Sequence, residues 1–221
     1  MIHAVEPRSP AWFALRAGRV TGTSAADVLA TLKSGGEAAA RRDLRARLVV
    51  ERITGTPVDT GAGFQSAEMR WGVEHERAAR HAYDAATGAI VRAIGFVSHD
   101  TIAAGCSPDG LVYGTGDNPL LGLVEIKCPK SATHLATLMS PKIPPEYAPQ
   151  ILHNCWITGA VYCDFVSFDP RFPPDVRLVV VRTTPSAVER DAYELAVRIL
   201  LGDVDRAVDE LNARRGGMVA A

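Results

Sequence analysis

The chain has little of what several function classes require. Its four cysteines, Cys106, Cys128, Cys155 and Cys163, form no Cys-x-x-Cys pair. That argues against a zinc site and leaves no grouping for an iron–sulfur cluster. They read instead as reduced, mostly buried thiols. No apolar run reaches the length of a membrane span, and residues 1–6 lack the basic and apolar regions of a secretion signal. The expectation is a cytoplasmic protein with no membrane contact. An excess of one charge is missing too, since the formal net charge is −1. There is no internal repeat and no low-complexity segment. With 47% hydrophobic and 22% charged residues over 221 positions, the chain reads as globular and as one domain, 1–221.

The charge that is present is unevenly spread. Residues 1–52 hold nine Lys/Arg against five Asp/Glu. A basic N-terminal surface of this kind can face a polyanion. The run Arg41-Arg42-x-x-Arg45-x-Arg47 has two readings, a solvated helix face or backbone contact with duplex DNA.

Ser9-Pro10 reads as an N-cap followed by proline at the first helical position, opening a helix over 10–17. Helices are expected at 25–32 and 38–53, and a long one at 67–86 that stops at Thr87-Gly88. Extended runs follow at 90–97, at 102–106 continuing past a turn to 113, and at 121–127. A helix at 146–158 breaks at Gly159. Strands at 161–168 and 176–183 come next, then a helix at about 186–214 interrupted near Gly202, with 215–221 as a loose tail. Residues 54–66 read as irregular. The pattern predicts a mixed α/β (α+β) fold with one central mixed β-sheet flanked by helices. Its core lies at about 67–183 and a helical part at 9–66.

The chemistry concentrates between residues 107 and 129. Ser107-Pro108-Asp109-Gly110 is followed, after a connector rich in turn formers (residues 114–119), by Glu125-Ile126-Lys127 inside the apolar run 120–128. Side chains alternate along a strand, so Glu125 and Lys127 share a face, roughly 6.6 Å apart along it. Val124, Ile126 and Cys128 face the other way into a core. A carboxylate and an ammonium in so apolar a strand are costly unless something charged is held there. A divalent cation bound by Asp109 and Glu125 would offset that cost, with Lys127 orienting water. A hairpin through the connector would bring Asp109 alongside Glu125. The competing reading of Glu-x-Lys is a cross-strand ion pair on a solvated face, which the apolar flanks and the second acid disfavour.

Ala104-Gly105-Cys106-Ser107-Pro108-Asp109-Gly110-Leu111 with Glu125-Ile126-Lys127-Cys128-Pro129 resembles the catalytic core of the phage lambda-type exonuclease (YqaJ-like viral recombinase) family, within the PD-(D/E)xK nuclease superfamily. Trp12-x-x-Leu15-Arg16-x-Gly18, Val20-Thr21-Gly22-Thr23, Trp71-Gly72-x-x-x-Glu76, and Gln150 ahead of Trp156 recur in that family's order, so the resemblance spans about 9–183.

The resemblance implies that Asp109 and Glu125 bind metal, with the Ile126 backbone carbonyl as a further ligand. It implies an oxygen-only magnesium site of one or two ions in which manganese can substitute. Lys127 is then the residue that positions or activates water, and Glu76 the helical acid that completes the site. At 100° per residue Glu76 lies beside the Ala79/Tyr83/Ala86 stripe while Glu74 falls nearly opposite. An alternative for Glu76 is a surface pair with Arg80. Gln150 would hold a water or a phosphate near the metals.

Arg16 is the candidate clamp for a 5′ phosphate, with Thr23 or Ser24 at the cap of the following helix and Ser107 adding a hydroxyl. Which of Thr23 and Ser24 makes the contact stays open at this point. Arg16 is otherwise an ordinary helix arginine. Trp12, Trp71 and Trp156 read as packing residues, and His75, His81, His134 and His153 show no metal-ligand spacing.

The implied function is 5′-to-3′ digestion of double-stranded DNA ends to leave 3′ single-stranded tails for recombination. A ring-shaped homotrimer and a single-strand-annealing partner are implied with it. The alternatives are an endonuclease of the same superfamily and a non-catalytic DNA-end-binding module.

Overall fold

The computed structural model describes residues 1–58, 66–114 and 119–219, and the side chains of these up to Arg215. In chain order its elements are β1 (Ile2–His3), α1 (Pro10–Arg16), β2 (Val20–Thr21), α2 (Ala25–Leu29), α3 (Ala39–Thr54) and α4 (Ala67–Thr87). These are followed by β3 (Ile90–Arg92), β4 (Phe96–Ser98), β5 (Ala104–Cys106), β6 (Gly110–Tyr113), β7 (Leu120–Lys127) and α5 (Ser131–Met139). The chain ends in α6 (Ala148–Thr158), β8 (Tyr162–Phe168), β9 (Leu178–Thr183) and α7 (Ala187–Val219). A single 3-10 turn, Gly22–Ser24, leads into α2.

The expected central mixed sheet forms, and a second, smaller mixed sheet forms with it. The larger has the order β3-β6-β7-β8-β9, with β7 and β8 parallel and the other neighbours antiparallel. The smaller has the order β1-β4-β5-β2, with β5 and β2 parallel. The expected strand at 90–97 is split between them. The break falls near Gly95, where an added Cβ would lie 2.0 Å from the Val5 carbonyl oxygen. The N-terminal segment crosses there too closely for any side chain, and the chain changes sheets.

The strand β7 shows why the local sequence reads so clearly. Val124 and Ile126 pack with Ala79 and Tyr83 of α4, while Leu123 packs with Ile151 and Cys155 of α6. Helices therefore cover both faces of the central strands, and the alternation of β7 aims Glu125 and Lys127 toward α6. A third core joins Leu44 and Leu48 of α3, Val28 of α2 and Val197, Leu200 and Val204 of α7, with Trp156 of α6 packed against it. The helix α6 is thus sandwiched between the sheet and the helical layer.

Several expected boundaries are corrected. The final helix runs unbroken past Gly202 to Val219, so its interruption and most of the loose tail are absent. Leu200, Leu201 and Val204 are buried around that glycine, and their packing outweighs a helix-propensity penalty of about 1 kcal/mol. The second helix stops at Leu29 instead of 32. Ala86 is exposed, so the inward stripe of α4 ends at Tyr83. Helix α5, between β7 and α6, had no counterpart in the sequence reading. Residues 59–65 of the irregular segment and 115–118 of the connector lie outside the described residues, as do 220–221 of the tail. Among the described residues no helix is long and apolar enough to cross a membrane.

Candidate active site

The hairpin β6–β7 brings the two strand acids together. Gly110 pairs with Val124, which sets Asp109 beside the end of β7. There Asp109 Oδ2 accepts the Ile126 backbone N–H at 2.6 Å. The Glu125 carboxylate is buried at 1% exposure and fully engaged. Its Oε1 accepts from Lys127 Nζ at 2.6 Å and Gln150 Nε2 at 2.5 Å, and its Oε2 from Asn154 Nδ2 at 3.1 Å. Lys127 Nζ also lies 5.1 Å from the centre of the Tyr147 ring.

Burial dominates the electrostatics. It lifts Glu125 to about 7, with Lys127 pulling the other way and the Asp109 carboxylate adding to the rise. Burial also raises Asp109, against the pull of Lys127 and its backbone hydrogen bond. For Lys127 desolvation works against the charge, but Glu125 and Asp109 prevail and hold the ammonium above its ordinary range. Glu76 is raised by burial and then by Asp109. The acids at this point are therefore short of positive charge despite Lys127.

Glu76 makes the expected pair with Arg80 and also stands beside the strand acids. Its Oε1 accepts from Arg80 Nη2 at 2.8 Å, and it lines the same cavities as Asp109 and Lys127. Glu74 is exposed.

Two cavities share this cluster. One, of about 760 Å³, is bounded by Trp71, Tyr147 and Arg171; the other, of about 1090 Å³, by Trp12, Arg16, Thr23, Ser107, Glu125 and Gln150. Arg8, Glu76, Asp109 and Lys127 line both.

The Arg16 end of the larger cavity is built by α1 and the turn before α2. The Ser9 hydroxyl caps α1, accepting the Trp12 N–H, with Pro10 at its first position. The indole Nε1 of Trp12 donates to Gly95 O at 3.1 Å and Ser107 Oγ at 2.9 Å. Its ring carries the Arg16 guanidinium at 4.1 Å, and Arg16 Nη2 donates to Thr21 Oγ1 at 3.3 Å and Thr23 Oγ1 at 3.2 Å. Thr23 is exposed in the cavity, whereas the buried Ser24 hydroxyl is turned away. It accepts the Thr21 N–H at 3.1 Å and donates to Thr21 O at 2.9 Å. Thr21 and Thr23 thus hold one guanidinium, Ser107 holds the indole on which it rests, and Ser24 closes the turn.

The basic run of α3 is not part of this site. Arg45 pairs with Glu37 at 2.7 Å, Arg42 with Asp43 at 3.3 Å and Arg47 with Glu51 at 3.3 Å, and Arg41 donates to the Val28 carbonyl. His75, His81, His134 and His153 line neither cavity. His134 bonds Ser167 and the Val176 carbonyl, His153 bonds Tyr193 and the Gly105 carbonyl, and His75 stacks on Trp71.

Asn154 and Arg8 went unread in the sequence. A signal for Asn154 existed: it follows Gln150 by four residues and so shares its helix face. Its Oδ1 is buried without a hydrogen-bond partner and faces Gly22, where an added Cβ would come within 2.6 Å.

A metal would meet only oxygen donors here: the carboxylates of Asp109, Glu125 and Glu76 and the carbonyl of Ile126. That set suits a hard divalent cation, and the positive-charge deficit among the acids favours one. Among the described residues no three of His, Cys, Asp and Glu are gathered at ligand spacing, and Glu125 Oε1 accepts from Lys127 and Gln150.

The profile of the YqaJ-like viral recombinase domain matches residues 11–161. Among solved structures, an alkaline exonuclease (LHK-Exo) from Laribacter hongkongensis is 36% identical with a TM-score of 0.81, covering 95% of this chain and 100% of that one. The same enzyme in complex with dAMP aligns at 34% identity and a TM-score of 0.81, with coverage of 95% and 100%. A phage related exonuclease from Haemophilus somnus 129PT shares the fold, with a TM-score of 0.61 at 13% identity over 87% of this chain and 96% of that one. No curated protein sequence matches.

Proposed function

The chain belongs to the YqaJ-like viral recombinase family, and from that premise we propose that it is a magnesium-dependent 5′-to-3′ exodeoxyribonuclease acting on double-stranded DNA ends. It is a nuclease of the exonuclease type with DNA as its substrate. The supporting observation is a carboxylate–lysine cluster (Glu76, Asp109, Glu125, Lys127) opening into a cavity that is also lined by Arg16, Thr23 and Ser107.

Asp109, Glu125, the Ile126 carbonyl and Glu76 would hold magnesium. When bound, the ion supplies Lewis-acid stabilisation of the charge that develops on the scissile phosphate and the departing oxygen, and it acidifies water. Manganese would serve in the same donor set, as one ion or two. Arg16 and Thr23 receive the terminal 5′ phosphate, which fixes which linkage lies against the acids. Gln150 and Asn154 hold the Glu125 carboxylate in place. Lys127, whose ammonium already donates to Glu125, orients the attacking water.

Water adds to phosphorus and the P–O3′ bond breaks. The 3′ oxygen of the terminal nucleotide takes up a proton and leaves with it as a 5′-mononucleotide, while the phosphorus stays on the 5′ oxygen of the next nucleotide, so the shortened strand bears a new terminal 5′ phosphate for the Arg16 pocket. The undigested strand remains as a 3′ tail for recombination. A ring-shaped homotrimer around DNA and a single-strand-annealing partner belong to the same proposal. The test is incubation of 5′-phosphorylated linear duplex and closed circular DNA with the protein, with magnesium or with chelator. Only the linear DNA with magnesium should be consumed, and Asp109→Ala should abolish that. Cleavage of the circle would refute end dependence, and full activity of Asp109→Ala would refute the site.

A further inference from the structure

The segment before α1 carries a residue that the mechanism has not used. Glu6-Pro7-Arg8-Ser9 is a turn closed by the Ser9 N–H on the Glu6 carbonyl at 3.1 Å. Proline stands in its second place, and Arg8 stands third at φ +67°. That is the pattern of a type II turn, whose third place calls for glycine or asparagine. Arg8 is the only non-glycine residue with positive φ among the described residues. A Cβ there costs free energy that glycine would not.

Packing does not repay that cost. The Arg8 side chain is exposed, and no hydrogen bond or ion pair holds it among the described residues. Its position is nevertheless specific. It lines both cavities at their junction beside Glu76, Asp109 and Lys127, and its charge acts on the Glu76 and Asp109 carboxylates. Backbone strain without a structural return, at a site of this kind, points to a role in function.

We propose that Arg8 is a phosphate clamp on the strand being digested, gripping a phosphodiester where the two cavities meet. This rests on the exonuclease reading. Arg16 differs in kind, because it lines only the larger cavity, stacked on Trp12 and bonded to two threonines. Arg8 has no such commitments and is free to close a bidentate contact on a phosphate passing the acids. A contact of this type reads charge, not sequence.

The turn makes the test clean, because Arg8→Gly removes the guanidinium and relieves the backbone together. The variant should match or exceed the wild type in thermal stability. Its KM for 5′-phosphorylated linear duplex should rise about tenfold. Its affinity for the same duplex in chelator, measured by fluorescence anisotropy against salt, should show a log–log slope shallower by about one. Arg8→Lys should keep the slope and recover part of the KM. A wild type that does not digest linear duplex would overturn the exonuclease reading itself. A wild type that digests, beside an Arg8→Gly variant with unchanged KM and unchanged salt slope, would overturn the clamp alone.

Discussion

Replacing Gly22 by alanine should cripple hydrolysis without altering any carboxylate. Gly22 does not need a positive φ, so its backbone accepts alanine and the effect is steric. The new Cβ would lie 2.6 Å from Asn154 Oδ1 and 3.3 Å from Gln150 Cγ. Asn154 is 1% exposed, and its amide is tied to Glu125, so it cannot swing aside without disturbing that bond. Both amides donate to Glu125, so pushing them away frees a buried carboxylate from part of its cradle. A hydrogen bond to a charged group contributes about 1.5–3 kcal/mol. At about 1.4 kcal/mol per tenfold, losing one reduces kcat/KM by about 10- to 100-fold. The assay is mononucleotide release from linear duplex in saturating magnesium, with a thermal melt to verify folding. Asn154→Ala should lose a similar amount, and the double variant should lose less than the product of the two single losses, because the closest collision is gone and only the 3.3 Å approach to Gln150 Cγ remains. Wild-type rates for Gly22→Ala, or losses that multiply in the double variant, would refute the packing argument.

Other consequences are equally specific. Arg16→Ala should lower the preference for 5′-phosphorylated over unphosphorylated ends by about tenfold, the worth of a charged hydrogen bond; an unchanged rate ratio would remove Arg16 from the phosphate pocket. His153, buried between Tyr193 and the Gly105 carbonyl, has its pKa held down to about 4 by burial, against an ordinary 6.5. Between those values the unfolded chain binds the extra proton, so this histidine's contribution to stability falls as pH drops from 6.5 to 4. The full drop is about 3 kcal/mol. Glu125, lifted to about 7, titrates in part of that range with the opposite sign. Denaturant melts should therefore be compared between wild type and His153→Gln, where the stability difference shrinks as pH falls; a pH-independent difference would contradict the assignment.

The parts of the fold that were legible in the sequence are those fixed by local pattern. The strand β7 announces itself because both of its faces are covered, leaving Glu125 and Lys127 as the conspicuous polar positions. The turn formers after Asp109 imply a hairpin, and the register of Gly110 with Val124 follows from it. The split of 90–97 between two sheets was not legible, because its cause is the passage of Val5 against Gly95, ninety positions apart in sequence. Gly202 misled for the opposite reason, since the burial of its neighbours overrides an intrinsic preference. Among site residues, Asp109, Glu125, Lys127 and Gln150 come together, and Arg16 meets Thr23. The turn geometry that buries the Ser24 hydroxyl and exposes Thr23 was likewise not legible. Arg8 stayed invisible because a type II turn with arginine in its third place breaks the residue preference by which such turns are read.

The most direct measurement follows the two strand ends of a single duplex. A linear duplex with 5′ phosphates is labelled at the 5′ terminus in one sample and at the 3′ terminus in another, then incubated with the protein and magnesium. Immediate release of the 5′ label as a mononucleotide, with the 3′ label retained on a long single strand, is the expected result. Early release of the 3′ label, or labelled fragments of internal length before any mononucleotide, would contradict digestion from the 5′ end by the Asp109–Glu125–Lys127 site.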